Sequence, residues 1–387
     1  GLGDVYKRQD SVNAATITPT VRSNARTAID NIASARKVEI DKDNNATLEE
    51  KNAAKTEIDN LVARAKADIN SLNHNNEIEI LKENKVNEIS QVEAHPVKKN
   101  AATQAIDQAA IAKKQEIDLI EDATIEEKEV AKAKVDKIVT EAKNNINQAT
   151  TNSSVDDAQN EGITAINAVI PEVVKKSDAR DTIDEVARIK KAAIDQTPDA
   201  TVEEKEAAIA KIDQEVTKAK EQIHQALKNE NVDTAKTNGT NFINAIQPEI
   251  TKKIKAREAI DEVARAKKEA IDRTLDATTE EKEAAKAKVD QAVTEAKGHI
   301  NEAINNSGVD EAKTNGTTTI NAIQPEVIKK SEARQAIDAA ARAKKEAIDQ
   351  TPDATTEEKE AAKAKVDQAV TEAKGHINEA INNSGVD

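Results

Sequence analysis

Small and aliphatic residues recur at intervals of three and four along most of this chain. In the stretch 285–303 they stand at Ala285, Val289, Ala292, Ala296, Ile300 and Ala303. This spacing places them along one face of an α-helix, with polar residues between them. Each stripe ends within about 30 residues at a Pro, a Gly or a capping signal, whereas a long coiled coil would sustain its heptads. The pattern therefore predicts many short amphipathic helices.

The pattern repeats with a fixed period. The motif Thr-x-Glu-Glu-Lys starts at Thr47, Thr124, Thr201, Thr278 and Thr355, always 77 residues apart. Residues 276–310 are identical to residues 353–387. Such self-similarity is the signature of a tandem array. Counted from prolines near the unit boundaries, the predicted units are repeat 1 (19–95), repeat 2 (96–170), repeat 3 (171–247), repeat 4 (248–324) and an incomplete repeat 5 (325–387).

Three helices are predicted in each repeat, as repeat 4 illustrates. The first begins with Pro248 at its first helical position, where the missing N–H costs nothing, and ends near Arg273. The second begins with Thr278 and Glu281, spaced as a capping box in which each side chain satisfies the other residue's free backbone N–H. The third contains Gly316, which either allows a close helix approach or divides the segment into two turns.

The predicted fold class is all-α, with tandem three-helix-bundle repeats of 77 residues stacked into an elongated rod. The apolar stripes are mostly Ala, Val and Ile, so each core is thin and depends on neighbouring repeats for stability. Junctions such as Gln247-Pro248 leave no linker residues, so each third helix is expected to run almost directly into the next repeat. Structural roles are assigned to five capping boxes, Thr47/Glu50, Thr124/Glu127, Thr201/Glu204, Thr278/Glu281 and Thr355/Glu358, and to five junction prolines, Pro19, Pro96, Pro171, Pro248 and Pro325.

Composition excludes several classes of protein. The 387 residues include no Cys, Met or Trp and only one Tyr and one Phe, so disulfides, thiolate metal sites and an aromatic core are excluded. No apolar run approaches the roughly 20 residues of a membrane-spanning helix. The net charge of −15, without a clustered basic face, argues against nucleic acid. High charge and few aromatics are typical of disorder too, but the helical periodicity decides against it.

Candidate chemistry is sparse. A Glu-His-Glu trio shares one helix face in repeats 4 and 5, at a spacing that could hold a divalent metal. The two trios are Glu295, His299, Glu302 and Glu372, His376, Glu379. Earlier repeats carry Gln222, Asn145 and Asp68 at the His position, so a solvated helix face is favoured over a metal site. No phosphate loop or nucleophile–base arrangement is evident, and the chain is expected to be a non-enzyme without cofactor or metal.

Two further side-chain patterns receive structural interpretations. Charged runs such as 280–283 are interpreted as opposite-sign neighbours that stabilise a helix, in preference to an electrostatic docking site. Phe242 replaces what is Thr319 one period later, and a core or half-buried packing role is favoured for it over a binding hot spot.

Both ends of the sequence are interpreted as cut. Residues 4–9 match the translation of a common sequencing-adaptor end, so residues 1–9 are expected to be an adaptor-derived artefact. Residues 10–18 are then the tail of a truncated repeat, and repeat 5 stops before its last segment. Secretion and anchoring signals are expected to lie in flanking regions.

The unit resembles a known repeat of bacterial surface proteins. Its Ala-Thr-x-Glu-Glu-Lys motif is followed by an Ala/Val/Lys-rich helix, then by Asn-Ala-Ile-x-Pro-Glu-Val and Ala-Arg-x-Ala-Ile-Asp. This succession is similar to the domain-of-unknown-function 1542 repeat of staphylococcal cell-wall-anchored proteins of the FmtB and SasC type, over about residues 10–387. The resemblance implies an extracellular stalk on a Gram-positive cell wall, in proteins linked to adhesion, biofilm accumulation and methicillin resistance. It implies no catalytic residues, and peptidoglycan attachment only through flanking regions.

Two functions follow as hypotheses. The first is a structural spacer that projects an adhesive domain from the cell wall, because the number of units sets its length. The alternative is a multivalent binding module, in which each repeat binds a host extracellular protein or a like array on a neighbouring cell. The alternative requires an exposed apolar patch at matching positions, and the aromatic anchors typical of such patches are absent. No nucleic-acid partner and no membrane insertion of this segment are expected.

Overall fold

The computed structural model describes residues 1–387 and contains helices and connecting segments but no strand. The longer helices, of 21 to 24 residues, occupy the first and second positions of each triplet, and shorter ones occupy the third. The helices are α1 (Leu2–Asn13), α2 (Val21–Asp41), α3 (Leu48–Ser71), α4 (Asn75–Ser90), α5 (Val97–Asp118), α6 (Ile125–Gln148), α7 (Asn152–Asn167), α8 (Lys175–Asp195), α9 (Val202–Gln225), α10 (Asn229–Ala245), α11 (Lys252–Asp272), α12 (Thr279–Glu302), α13 (Asn306–Asn321), α14 (Lys329–Asp349), α15 (Thr356–Glu379) and α16 (Asn383–Val386).

The helices after α1 form triplets, one for each repeat. Repeats 1, 2 and 4 contain α2–α4, α5–α7 and α11–α13, and within each of these triplets every helix packs against the other two. Repeat 3 contains α8–α10, and repeat 5 contains α14–α16, of which α16 has four residues. The prediction of an all-α array of three-helix repeats is confirmed. By compactness the chain divides into two units, Gly1–Ala179 with His224–Asp233 and Arg180–Ile223 with Thr234–Asp387.

Each core is a thin column of Ala, Val and Ile, as the stripes predict. In repeat 4 the side chains of Ile260, Val289, Ile300, Val309 and Ile320 have no exposed surface. Alanines of α11 and α12 fill the space between them. Because alanine buries little apolar area, such a column supplies less hydrophobic stabilisation than a core of the same length built from Leu and Phe.

The third helices continue unbroken through their central glycines. At Gly316, within α13, a Cβ atom would lie 2.6 Å from Cβ of Ala296 and 3.0 Å from Cδ1 of Ile260. Only glycine therefore lets the second and third helices approach so closely. Of the two alternatives for this segment, close approach is the correct one. Gly162 and Gly239 are constrained in the same way.

Repeat 1 departs from this packing. Lys85 stands where repeats 2 to 4 have glycine. Correspondingly, α3 and α4 pack against each other less extensively than α6 and α7 do. A shallow groove between α2 and α4 exposes part of Ile32 and Val86.

Two predictions about the junctions are wrong. In repeat 4 the first helix begins at Lys252, and Pro248 lies in the non-helical segment 246–251 instead of the first helical position. That segment also separates α10 from α11, so the third helix does not run directly into the next repeat. The helix begins where Glu204 of the preceding repeat accepts the N–H groups of Thr251 and Lys252, so a neighbour's carboxylate, not the proline, defines its start. The other junction prolines, Pro19, Pro96, Pro171 and Pro325, also lie in connecting segments.

The packing role predicted for Phe242 is wrong as well. Phe242 is 60% exposed, whereas the next residue, Ile243, has no exposed surface. The buried stripe of α10 passes through Gly239 and Ile243, so position 242 falls beside it and faces solvent. Thr319, the matching residue of repeat 4, is exposed too.

Candidate functional site

The start of each second helix contacts the next repeat, and we call this contact a joint. At the joint between repeats 1 and 2, Oε1 of Glu50 accepts the N–H of Thr47 at 2.9 Å, and the N–H of Glu50 donates to Oγ1 of Thr47 at 3.3 Å. Oε2 of the same carboxylate accepts the N–H groups of Val97 at 2.8 Å and Lys98 at 3.1 Å, where α5 begins. One carboxylate thus caps two helices from adjacent repeats, at the end where the helix dipole favours negative charge.

This double cap recurs at the next three joints. Oε2 of Glu127, Glu204 and Glu281 accepts two backbone N–H groups of the following repeat at 2.7–3.2 Å. The partner threonines Thr47, Thr124, Thr201 and Thr278 have no exposed surface. Repeat 5 differs, because Thr355 is exposed. There the N–H of Glu358 donates to Oγ1 of Thr355 at 3.2 Å, and the reciprocal bond is missing.

The first Glu of the motif caps the third helix of the next repeat. Oε2 of Glu49 accepts the N–H of Asn152, where α7 begins, at 2.9 Å. The three later joints have the same bond at 2.6–2.8 Å, in the pairs Glu126 with Asn229, Glu203 with Asn306 and Glu280 with Asn383. The N–H of Leu48 also donates to the carbonyl of Thr150 at 2.8 Å, just before α7. Both the first and the third helix of the next repeat are therefore bonded to one helix start.

The Lys of the motif completes the arrangement inside its own repeat. Nζ of Lys51 donates at 2.9 Å to the carbonyl of Asp41, the last residue of α2. All four later repeats keep this bond at 2.9 Å. The last carbonyls of a helix lack partners within the helix, and a cation complements the negative end of the dipole. Every position of Thr-x-Glu-Glu-Lys therefore makes a contact that orients a helix end.

A buried lysine lies at each joint. Nζ of Lys99, in α5, donates to the carbonyl of Asn147 at 2.7 Å and to the carbonyl of Asn44, in the preceding repeat, at 2.9 Å. These carbonyls compensate the cost of burying the charge. Burial lowers the pKa of Lys99 and nearby Lys51 lowers it further, against the opposing effect of Glu50 and Asp43. The matching lysines, Lys176, Lys253 and Lys330, are each at most 5% exposed and donate to carbonyls of their own second helix.

An ion pair crosses the joints around repeat 4. Arg257, in α11, donates to Oδ1 of Asp199 at 2.9 Å and to Oδ2 at 2.6 Å, a bidentate pair. Asp199 adopts a φ of 66°, a left-handed conformation that Asp tolerates better than most residues. The guanidinium holds the pKa of Asp199 below its ordinary value. Arg334 and Asp276 form the same pair one repeat later.

The joint between repeats 1 and 2 lacks this pair. Its matching positions hold Asn45 and Thr103, and Asn45 is not in the left-handed conformation. The Glu49 and Glu50 bonds of that joint are nevertheless intact. The carboxylate caps therefore form the constant part of a joint, and the ion pair is an addition.

Electrostatics at the joints favour ionised carboxylates. Burial acts to raise the pKa of Glu50, but hydrogen bonds from the N–H groups of Thr47, Lys98 and Val97 outweigh it and hold the pKa below its usual value. The same balance lowers the pKa of Glu127, Glu204 and Glu281.

The Glu-His-Glu trio of repeat 4 faces an open groove between α12 and α13. Glu295, His299 and Glu302 line it together with Glu311 and Asn315. The structure contains no group of three His, Cys, Asp or Glu side chains arranged to hold a metal ion. None of its helices combines the length and apolar content needed to cross a membrane.

One known family model matches all five repeats. The family model described as Domain of Unknown Function (DUF1542) matches residues 21–97, 98–174, 175–251, 252–328 and 329–387. The chain belongs to the DUF1542 family. Four of the five matches begin at the first residue of a first helix, and the match 98–174 begins one residue after the start of α5.

Curated relatives of this DUF1542 chain are very large staphylococcal proteins. The chain is 30% identical over 285 residues to extracellular matrix-binding protein EbhA of Staphylococcus aureus strains Mu3 and Newman, and to extracellular matrix-binding protein ebh of strain JH9. The matched region is 73% of this chain but only 3–8% of those relatives. No solved structure matches the chain.

Four of the five predicted capping boxes form, the fifth, Thr355/Glu358, keeps one of its two bonds, and the joints were not predicted. Sequence reasoning interpreted 280–283 as neighbours along one helix, whereas Glu280 and Glu281 bond the next repeat and Lys282 bonds the end of α11. A usable signal was present, because a capping box needs only Thr and the second Glu. The first Glu and the Lys recur at every copy without serving that box.

Proposed function

We propose that this DUF1542 array is a structural spacer of a bacterial cell-surface protein. In this role it holds an adhesive region away from the cell wall and supports adhesion or biofilm accumulation without catalysis. The observation that supports it most directly is the joint itself. Two carboxylates and one backbone N–H of each second-helix start bond both the first and the third helix of the next repeat. Two points of attachment resist bending better than a single flexible linker does.

The spacer proposal predicts how length depends on repeat number. Deleting residues 252–328 joins Thr251 to Lys329 and keeps every class of joint contact, because the deletion equals one period. Helices of about 25 residues rise about 1.5 Å per residue, so the maximum dimension is expected to fall by roughly 35–50 Å at constant cross-section. Small-angle X-ray scattering, extrapolated to zero concentration, measures both quantities. Compact particles or flexibly joined beads in either protein would contradict a stiff spacer.

A second function, multivalent binding, has one supporting observation. Leu227, Ile304 and Ile381 occupy the same position before a third helix and are 68–76% exposed. Leu227 and Ile304 each lie beside another partly exposed aliphatic residue, Ile125 and Val202 respectively, because a backbone hydrogen bond joins the two positions. Recurrence at successive joints would supply the matching patches that avidity requires. The names of the relatives, extracellular matrix-binding proteins, point to host matrix as the partner.

The binding function is tested separately from the spacer function. Surfaces coated with solubilised extracellular matrix are exposed to the full chain, to the 252–328 deletion and to the triple variant Leu227→Ser, Ile304→Ser, Ile381→Ser. Avidity predicts that retention falls with repeat number and is lost in the triple variant. Equal retention of all three proteins, or none by the full chain, would rule out these patches. The control is the triple variant Leu119→Ser, Val130→Ser, Ile189→Ser, which changes aliphatic residues exposed elsewhere on the surface.

A further inference from the structure

The third helices of repeats 3 and 4 contain the chain's two Asn-Gly sequences, Asn238-Gly239 in α10 and Asn315-Gly316 in α13. At the same two positions repeat 1 has Asn84-Lys85 and repeat 2 has Glu161-Gly162. Both asparagines of the Asn-Gly sequences are exposed, whereas both glycines are buried. The close approach of the helices requires the glycine, but it does not require an asparagine before it.

An Asn-Gly sequence is chemically reactive. Asn is a thermolabile residue, and a following glycine has no Cβ to shield its own backbone nitrogen. The nitrogen of Gly316 forms a bond to Cγ of Asn315, and the side-chain amide leaves as ammonia with the proton that this nitrogen loses. The product is a five-membered succinimide ring. Water from the solvent then opens the ring at Cγ to give aspartate, or at the main-chain carbonyl to give isoaspartate, whose backbone runs through Cβ and Cγ.

Both sites are protected while their helices are folded. Ring closure requires the backbone at Asn315 to rotate away from the helical ψ of about −42°. It also requires a free N–H at Gly316, whereas the helix α13 holds this group in a hydrogen bond to the carbonyl four residues earlier. The reaction therefore passes through the open state of the helix, and its rate follows the population of that state.

The glycine that follows each site lies where the repeat has no spare room. A Cβ atom on Gly316 would lie 2.6 Å from Cβ of Ala296, and one on Gly239 would lie 2.6 Å from Cβ of Ala219. Isoaspartate adds one carbon to the backbone immediately before this contact. The added carbon disrupts the hydrogen bonds between residues i and i−4 and displaces the glycine from a closely packed interface.

We propose that Asn238 and Asn315 are modification sites, at which spontaneous deamidation makes the unfolding of repeats 3 and 4 irreversible. A folded repeat is protected, whereas a repeat that opens and forms isoaspartate does not close again. Repeat 2 has the same close contact at Gly162 but a glutamate before it, so its unfolding stays reversible. The reaction needs only water, and no enzyme.

The protection is tested by comparing reaction rates in the folded and the unfolded chain. The full chain is incubated in mildly alkaline buffer with and without guanidinium chloride, and its peptic peptides are weighed by mass spectrometry. Phe242 identifies the peptide of repeat 3, and Thr319 identifies that of repeat 4. Deamidation at both sites is expected to be about a hundredfold slower without denaturant, because the helix must first open. Equal rates under the two conditions would overturn the proposal.

The effect on refolding is tested within a single sample of the modified chain. After the denaturant is removed, hydrogen exchange is measured separately for the Asn, Asp and isoaspartate forms of each peptide, which chromatography separates and electron-transfer fragmentation identifies. The third-helix amides are expected to exchange about a hundredfold faster in the isoaspartate form than in the Asn form. The Asp form is the matched control, because it has the same charge without the extra carbon, and it should stay protected. Equal protection of the isoaspartate and Asp forms would contradict the proposal.

A variant of the full chain provides the second control. Asn238→Glu with Asn315→Glu gives both repeats the residue that repeat 2 has before its glycine. After long incubation in denaturant, the variant is expected to recover its helical circular dichroism on dilution, whereas recovery of the wild type falls as incubation lengthens. Asn-Ser sequences such as Asn306-Ser307 remain in both proteins, so slower deamidation elsewhere is matched. The same recovery in both proteins, whether complete or reduced, would overturn the assignment to these two asparagines.

Discussion

Residues 276–310 and 353–387 have one sequence in two environments. In the first copy Thr278 is fully buried and Glu281 caps two helices. In the second, Thr355 is exposed and its capping box is half formed. The core differs too, because α12 buries five residues and α15 buries only Ile377. Since the residues are the same, the difference comes from the neighbours: a full third helix for the core and a following repeat for the motif.

The largest effect is expected from giving repeat 5 those neighbours. A copy of residues 311–387 fused after Asp387 continues the sequence without a break in period. It completes the third helix and supplies the starts of a next first and third helix. Amide exchange at 355–358 is expected to slow about a hundredfold, since closing the core and the cap adds a few kcal/mol of local stability.

Mass spectrometry can follow that exchange despite the duplicated sequence. The fused copy would yield the same peptides as repeat 5, so it carries Leu in place of Pro352. Peptic peptides that contain Gln350 and Pro352 then report on repeat 5, and those that contain Arg273 and Leu275 report on repeat 4. As a control, exchange at 278–281 should not change. If 355–358 exchanged at the original rate in the extended chain, the missing neighbours would not be the cause of the difference.

The next largest effect is expected from mutating the matching glutamate of each copy, Glu281 or Glu358. Glu281→Ala removes a cap and two charge-assisted bonds to the next repeat, and is expected to cost about 2–3 kcal/mol of local stability. Glu358→Ala removes a residue without partners in a neighbouring repeat and is expected to cost about 0.5 kcal/mol. Urea unfolding followed by circular dichroism, with hydrogen exchange to locate the loss, measures both. Equal costs would mean that the bonds across the joint contribute nothing.

The two copies also show which features of the repeat can be predicted from the sequence alone. Thr278 and Glu281 satisfy a local rule, so their capping box was predictable from spacing alone. The apolar stripe likewise predicted the helices and their buried faces. Glu280 bonds a residue about one hundred positions away in the chain, and no local rule connects the two. The prediction for the start of α11 was wrong for the same reason. A contact with Glu204 of another repeat defines that start, and Pro248 does not.

An intermediate effect is expected from acid. The pKa of Glu50, Glu127, Glu204 and Glu281 is lowered in the folded chain, so folding is stabilised while they are ionised. That contribution is fully present above the unfolded pKa of about 4.3 and is lost as the pH falls through the lowered values. Stability is therefore expected to drop steeply below about pH 4.3.

A neutral isostere isolates this part of the acid response. The variant with Gln at all four of these positions is less stable at pH 7, but its stability should fall less between pH 5 and pH 3 than that of the wild type. Glu358→Gln, at the uncovered copy, serves as the matched control. Parallel pH profiles for the wild type and the fourfold variant would show that other carboxylates cause the acid sensitivity.

The smallest effect concerns the ion pair that the first joint lacks. Asp276→Asn with Arg334→Thr gives the joint between repeats 4 and 5 the residues of the joint between repeats 1 and 2. Both side chains are partly exposed, so the coupling measured by a double-mutant cycle is expected to be about 0.5–1 kcal/mol. In this cycle the two single variants subtract the effects of each substitution on helix propensity and turn strain. Because Asn tolerates the left-handed turn, the cycle reports on the ion pair itself. A coupling near zero would leave the carboxylate caps as the whole of the joint, whereas a coupling above about 2 kcal/mol would make the ion pair a major part of it.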